Sequence, residues 1–160
     1  MNPNSERTPP VRNKVFISYC HVDQKWLNRL LVHLKPLERA GITDVWVDTI
    51  IDPGKKWLAE IQNALAVTKV AILLVSTDFI NSEFITNHEL STLLKAAEND
   101  GVLIIQVIVG RCADRWKRTS HLNQFQTMNK PENPLSKMST DEREDLWDRM
   151  AGRIQDFLAQ

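Results

Sequence analysis

Lys14-Val15-Phe16-Ile17-Ser18-Tyr19-Cys20-His21 is an apolar run that ends in hydroxyl, thiol and imidazole groups. Val15 to Tyr19 is almost uniformly apolar, as expected of a parallel strand covered by helices on both faces. Polar residues closing such a strand stand at the carboxyl edge of a sheet, where open α/β folds bind their ligands. Three later segments answer this one in order. Val45-Trp46-Val47-Asp48 leads into Asp52-Pro53-Gly54-Lys55-Lys56-Trp57. Val70 to Val75 closes on Ser76. Ser82-Glu83-Phe84-Ile85 is followed by Glu89.

Between these segments the apolar spacing changes from strand to helix. Trp26, Leu27, Leu30, Leu31, Leu34 and Leu37 recur at three and four, which predicts a helix with one buried stripe. Asp23 suits its cap and Gly41 its end. Asp44 to Asp48 reads as a short second strand, and Asp52-Pro53-Gly54 as a turn in which proline presets one dihedral and glycine permits a positive one. Trp57, Ile61, Ala64 and Leu65 mark a second helix. Asn81 or Ser82 can cap a third, carrying Phe84, Ile85, Leu90, Leu93, Leu94 and Ala97. Val102 to Val109 is a fourth strand, and a short edge strand is expected around Gln124 to Met128. Ser139 to Glu142 matches a capping box and opens a final helix with Leu146, Met150, Ile154, Phe157 and Leu158 on one face. Strands alternating with helices predict a parallel sheet with helices on both sides, joined by right-handed crossovers.

The 160 residues suffice for one domain. Residues 1–13 hold three prolines and almost no large apolar groups, so they read as a flexible amino-terminal tail. The domain is expected to span 14–160. With 20 basic and 20 acidic side chains the net charge is zero, which removes the long-range field that draws a protein to nucleic acid or an anionic membrane. Cys20 and Cys112 make no disulfide framework. His21, His33, His88 and His121 have no metal-ligand spacing, so no metal is expected. No apolar run approaches the roughly 20 residues of a membrane helix, and the amino end lacks a signal-peptide centre. A cytoplasmic setting is the expectation.

The order and spacing of these motifs resemble a Toll/interleukin-1 receptor (TIR) domain of the bacterial, NAD-cleaving branch. Phe16-Ile17-Ser18-Tyr19 is similar to the family's first-strand motif. Trp46 to Asp48 with Pro53-Gly54 and Trp57 is similar to its second strand and BB loop. Leu74-Val75-Ser76 is similar to its third-strand end, and Ser82-Glu83-Phe84 through Glu89-Leu90 to the helix bearing the catalytic glutamate. The resemblance implies a flavodoxin-like three-layer sandwich with a five-stranded parallel sheet in the order 2-1-3-4-5. It also implies either of two activities. One is cleavage of the nicotinamide–ribose bond of NAD+, giving nicotinamide and ADP-ribose or a cyclic isomer, in immune signalling of the anti-phage type. The other is a non-enzymatic adaptor role. NAD+ would then be a substrate rather than a cofactor. Partners would be other TIR domains, in a homo-oligomer or filament, and a separate sensor or effector.

In NAD+ the nicotinamide ring is already cationic and leaves neutral, so its departure needs no proton. Ordinary glycosidases need two carboxylates, whereas here one can suffice. Glu89 is the expected catalytic residue, steadying the oxocarbenium-like charge and the ribose hydroxyls. Against this stands the usual fate of a glutamate, a solvated helix face. Tyr19, Cys20, His21, Asp48 and Phe84 are the expected substrate-contacting residues. Cys20 and His21 are read as contacts rather than a nucleophilic pair, because reactive pairs are made in space and chain neighbours usually point apart. Lys55 and Lys56 open a helix where a pyrophosphate can meet amides and ammonium groups. Ile51, Asp52, Pro53 and Gly54 are the expected self-association loop. The absence of a G-x-G-x-x-G after any strand argues against hydride transfer. A phosphoacceptor domain of the same fold class is a third reading, but the chain lacks the acidic cluster after the first strand that would hold magnesium.

Overall fold

The computed structural model describes residues 11–50, 55–82 and 89–160, and at 50, 55–57 and 89 the backbone alone. Five parallel strands form one sheet: β1 (Lys14–Cys20), β2 (Val45–Ile50), β3 (Thr68–Val75), β4 (Leu103–Ile108) and β5 (Gln126–Thr127). Their spatial order is β2-β1-β3-β4-β5, and every recorded pairing is parallel. This is the flavodoxin-like arrangement that the resemblance implied. The chain moves outward from β1 to β2, then back across β1 to β3, so the order reverses between β1 and β3.

The alternation of a strand sorts β1 onto two cores. Val15, Ile17 and Tyr19 pack with α1 (Gln24–Arg39) and the long carboxyl-terminal helix Thr140–Leu158 through Trp26, Leu30, Leu34, Trp147, Met150 and Ile154. Phe16 and Cys20 face the other way. They meet α2 (Lys55–Ala66), α3 (Thr77–Ile80) and α4 (Glu89–Asn99) through Ile61, Leu65, Phe79, Leu90 and Leu94. Because β3 and β4 are buried on both faces, they read in sequence as continuous apolar runs rather than alternating ones.

Punctuation at the ends follows simple chemistry. Gly41 adopts φ +72° just past α1, where a side chain would be strained. Ser139 and Glu142 form the reciprocal capping box that opens Thr140–Leu158. The link from β4 is tied down by two short helices, α5 (Ala113–Lys117) and α6 (Ser120–Asn123), and by buried Gln106. Gln106 Nε2 donates to the carbonyls of Leu122 and Phe125, and its Oε1 accepts from Trp116 Nε1. The carboxyl-terminal helix is α7 in chain order.

One expectation changes. Arg12 and Asn13, read as part of the tail, are held to the body. Arg12 donates to Leu65 O at 2.6 Å and Thr68 O at 3.2 Å, and Asn13 N to Val67 O at 3.0 Å. Asn81 is the residue after α3, and Ser82 Oγ donates back to Phe79 O at 2.7 Å; the helix start read at Asn81 or Ser82 falls on residues outside the described ones. The cap of α3 is Ser76, whose Oγ accepts from Phe79 N at 3.2 Å.

Candidate functional site

The ends of β1, β3 and β4 meet at the carboxyl edge. Val109 N donates to Val75 O at 2.9 Å, and Thr77 Oγ1 donates to Arg111 O at 2.9 Å. A methyl group at Gly110 would stand 3.6 Å from Ser76 Cβ. In open α/β sheets the crevice for ligands lies outside such an edge, at the point where strand order reverses. Here that point is the gap between β1 and β3.

Four polar residues, Ser18, Asp23, Asp48 and Ser76, are buried in this part of the fold. Ser18, in β1, is fully buried and its Oγ has no hydrogen-bond partner among the described residues. It lies in register with Asp48 of β2, itself 5% exposed, just as Phe16 lies in register with Trp46. The Phe16 and Trp46 rings stack at 5.3 Å between centroids, so these paired positions share the face covered by α2 and α4. A buried hydroxyl beside a buried carboxylate is costly in a mostly apolar sheet.

Past the end of β1 the chain makes a 3-10 turn, His21–Asp23, before α1. Asp23 occupies the cap position of α1, yet its side chain makes no capping bond. Instead Ser76 Oγ donates to Asp23 Oδ2 at 2.5 Å, joining the ends of β1 and β3 across the reversal point. Asp23 is 8% exposed. Burial pushes its carboxyl above the ordinary range, against the opposing effect of the Ser76 hydroxyl, and the nearby Asp78 charge adds to the rise. The cap predicted at Asp23 is therefore a cross-strand link. A local sequence window cannot see this, since Ser76 lies 53 residues away.

The remaining expected residues divide by location. Cys20 is buried beside this edge, and burial raises its thiol above the ordinary value, with the Asp23 and Asp78 charges adding to the rise. It is a thiol at neutral pH rather than a nucleophilic thiolate. Cys112 behaves likewise, pushed up to about 11 by burial and then by Asp23. His21 is exposed on the turn. Tyr19 lies on the opposite face, packed with α1, 3% exposed. Its phenol donates to Gln24 Oε1 at 2.6 Å and accepts from Thr49 Oγ1 at 2.8 Å. The structure thus pairs Ser18 with Asp48 and Ser76 with Asp23, sets Cys20 near Asp23, and places Tyr19 on the opposite face from Cys20. Ile51, Asp52, Pro53, Gly54, Phe84 and His88 lie outside the described residues. α4 is described from Glu89 onward, and Leu90 and Leu94 pack that helix on the Phe16 and Cys20 face. Among the described residues no three His, Cys, Asp or Glu side chains are grouped to hold a metal ion. No described helix is long and apolar enough to cross a membrane.

Residues 15–147 match the family model described as TIR domain. In a crystal structure of the RPS4 and RRS1 TIR domain heterodimer, a chain superposes with a TM-score of 0.60, covering 92% of this chain and 99% of that one at 15% identity. A curated relative, the uncharacterized protein y4lF of Sinorhizobium fredii (strain NBRC 101917 / NGR234), is 29% identical over 98 residues. That alignment takes in 61% of this chain but only 30% of the relative.

Proposed function

Because this chain belongs to the TIR domain family, we propose that it is an NAD+ nucleosidase of the bacterial type. It breaks the nicotinamide–ribose bond to give nicotinamide and ADP-ribose or a cyclic isomer. The observation that carries the reading is the set of buried polar groups, Ser18, Asp23, Asp48 and Ser76, at the sheet edge where the strand order reverses. Burial of polar groups against the preference of a hydrocarbon core is the mark of a site kept for use.

In this mechanism Glu89 faces the positive charge that grows on the ribose as nicotinamide departs neutral, and no general acid is required. Preorganised charge of this kind is worth roughly 10²–10³ in rate. Water then adds to the sugar cation and loses a proton, so NAD+ and water give nicotinamide, ADP-ribose and a proton. Interception by an adenine nitrogen in place of water gives the cyclic product. Cys20, His21, Asp48 and Phe84 surround the substrate in this reading, and Ile51 to Gly54 meet a second copy in an activating assembly. The context is immune signalling of the anti-phage type.

A second reading has a specific support: the structural neighbour is a heterodimer of TIR domains. In this adaptor role the chain works by pairing with other TIR domains, and Glu89 is incidental. The two readings part in one experiment. Purified protein at rising concentrations is incubated with NAD+ and nicotinamide is followed by chromatography, beside Glu89→Ala. Release by wild type, reduced about 100-fold or more in the variant, supports the enzyme. Equal silence of both proteins, even when crowded or assembled, leaves the adaptor.

A further inference from the structure

We propose that Asp23 is a substrate-binding residue, whose Oδ1 accepts a hydrogen bond from a ribose hydroxyl of the bound dinucleotide, with Ser76 holding the carboxylate in place. The inference rests on the NAD-cleaving reading and adds a residue to its site.

Four observations carry it. Asp23 closes the turn that follows β1 and Ser76 stands immediately after β3, so the pair spans the reversal point where ligands bind in folds of this kind. Only Oδ2 is used by the protein: it takes the Ser76 hydroxyl at 2.5 Å, and no described residue donates to Oδ1. Asp23 sits at a helix cap position without capping the helix, so the local reason for an aspartate there is missing. Finally, the residue is more than nine-tenths buried. A largely buried carboxylate held by one oxygen, with the other open at the sheet edge, is a strong acceptor for a hydroxyl brought by a ligand.

The Ser76 hydroxyl sets the orientation. Its oxygen accepts from Phe79 N at 3.2 Å and its proton goes to Asp23 Oδ2. This fixes the polarity of the chain from α3 to the carboxylate and leaves Oδ1 as the open end. The ligand chemistry is that of a sugar hydroxyl. The nicotinamide carboxamide is the competing donor, and the test separates the two.

Asp23→Asn is the informative variant, since its amide oxygen can still accept from Ser76 while its NH2 replaces the Oδ1 acceptor with a donor. Titration calorimetry with ADP-ribose, which has no carboxamide, and with nicotinamide alone reads the two halves of the substrate. Thermal melting confirms that the variant is folded. The expected result is an ADP-ribose Kd weakened about 10-fold or more, an unchanged nicotinamide affinity and a melting temperature equal to or above wild type. With NAD+ as substrate the same variant raises KM more than it lowers kcat. An unchanged ADP-ribose Kd in a folded Asp23→Asn protein overturns the assignment, as does a loss confined to nicotinamide. A wild-type protein that binds ADP-ribose through Asp23 but releases no nicotinamide keeps this assignment and ends the nucleosidase reading. A wild type that binds neither compound overturns both.

Discussion

The two halves of β1 solve different problems with the same backbone. At its amino half Val15, Phe16 and Ile17 are wholly buried among hydrocarbon, and Phe16 stacks on Trp46. At its carboxyl half Ser18 occupies the same face as Phe16, equally buried, with a hydroxyl that has no partner among the described residues. Five residues further on, Asp23 is buried with one carboxylate oxygen used. The amino half is built for stability alone, whereas the carboxyl half gives up stability to keep polar groups in place. A groove of about 480 Å³ does lie near the amino ends of β1 and β2, lined by Lys14, Val45, Trp46 and Val67. Its titratable groups, such as the Lys14–Asp44 pair at 2.6 Å, are open to water. This groove and the buried polar groups therefore lie at opposite ends of the sheet, and chemistry is the better guide to a site.

Stability measurements can break this contrast. The largest effect is expected for Phe16→Ala, which removes a fully buried ring and its stack. Denaturant unfolding is expected to show a loss of about 3–5 kcal/mol. If Phe16 and Ser18 served the same purpose, Ser18→Ala would also destabilise. Instead it removes an unpartnered buried hydroxyl, and the same titration is expected to show a gain of roughly 1–2 kcal/mol. A loss in Ser18→Ala of the size seen for Phe16→Ala would erase the distinction between the halves.

The pH dependence sharpens the contrast with a smaller effect. Burial raises the folded-state carboxyl of Asp23, so its contribution to stability is present at acid pH and is lost as pH rises through that raised value. Asp23→Asn escapes the loss, and its melting temperature is expected to exceed wild type near neutral pH, with the advantage shrinking as pH falls. A surface group behaves in the opposite sense. Glu144, bound by the Arg29 guanidinium and by His33 Nε2 at 2.7 Å, is lowered from 4.5 to about 2. Its contribution is present above the ordinary carboxylate range and lost as pH falls toward the lowered value. Glu144→Gln is expected to melt slightly below wild type at pH 7, with the gap closing as acid is added. Thermal melts across pH read both, and identical pH profiles for the two variants would contradict the assignment of Asp23 to a buried site.

Much of the framework was legible because it is written in local patterns. The capping box at Ser139, the glycine after α1 and the short strand within Gln124 to Met128 all follow from spacing and turn chemistry. What the pattern concealed is set by partners far away in sequence. Asp23 reads as a helix cap because it precedes an amphipathic run, and only the crossover from β1 to β3 brings Ser76 to it. Tyr19 shows the other limit. In a strand buried on both faces the apolar run gives no alternation to read, so its membership of the α1 face, away from Ser18 and Cys20, emerges only with the fold. Ser18 itself was read as part of a strand motif, and nothing local marks its hydroxyl as unpartnered.

The proposed activity turns on whether ADP-ribose binds at the carboxyl edge. Amide chemical shifts recorded while ADP-ribose is titrated into ¹⁵N-labelled protein locate it directly. The account predicts that the perturbed amides cluster at 18–23, 48–49 and 76–79, at the carboxyl edge. Perturbations confined to 44–46 and 60–67, around the amino-edge groove, would contradict it.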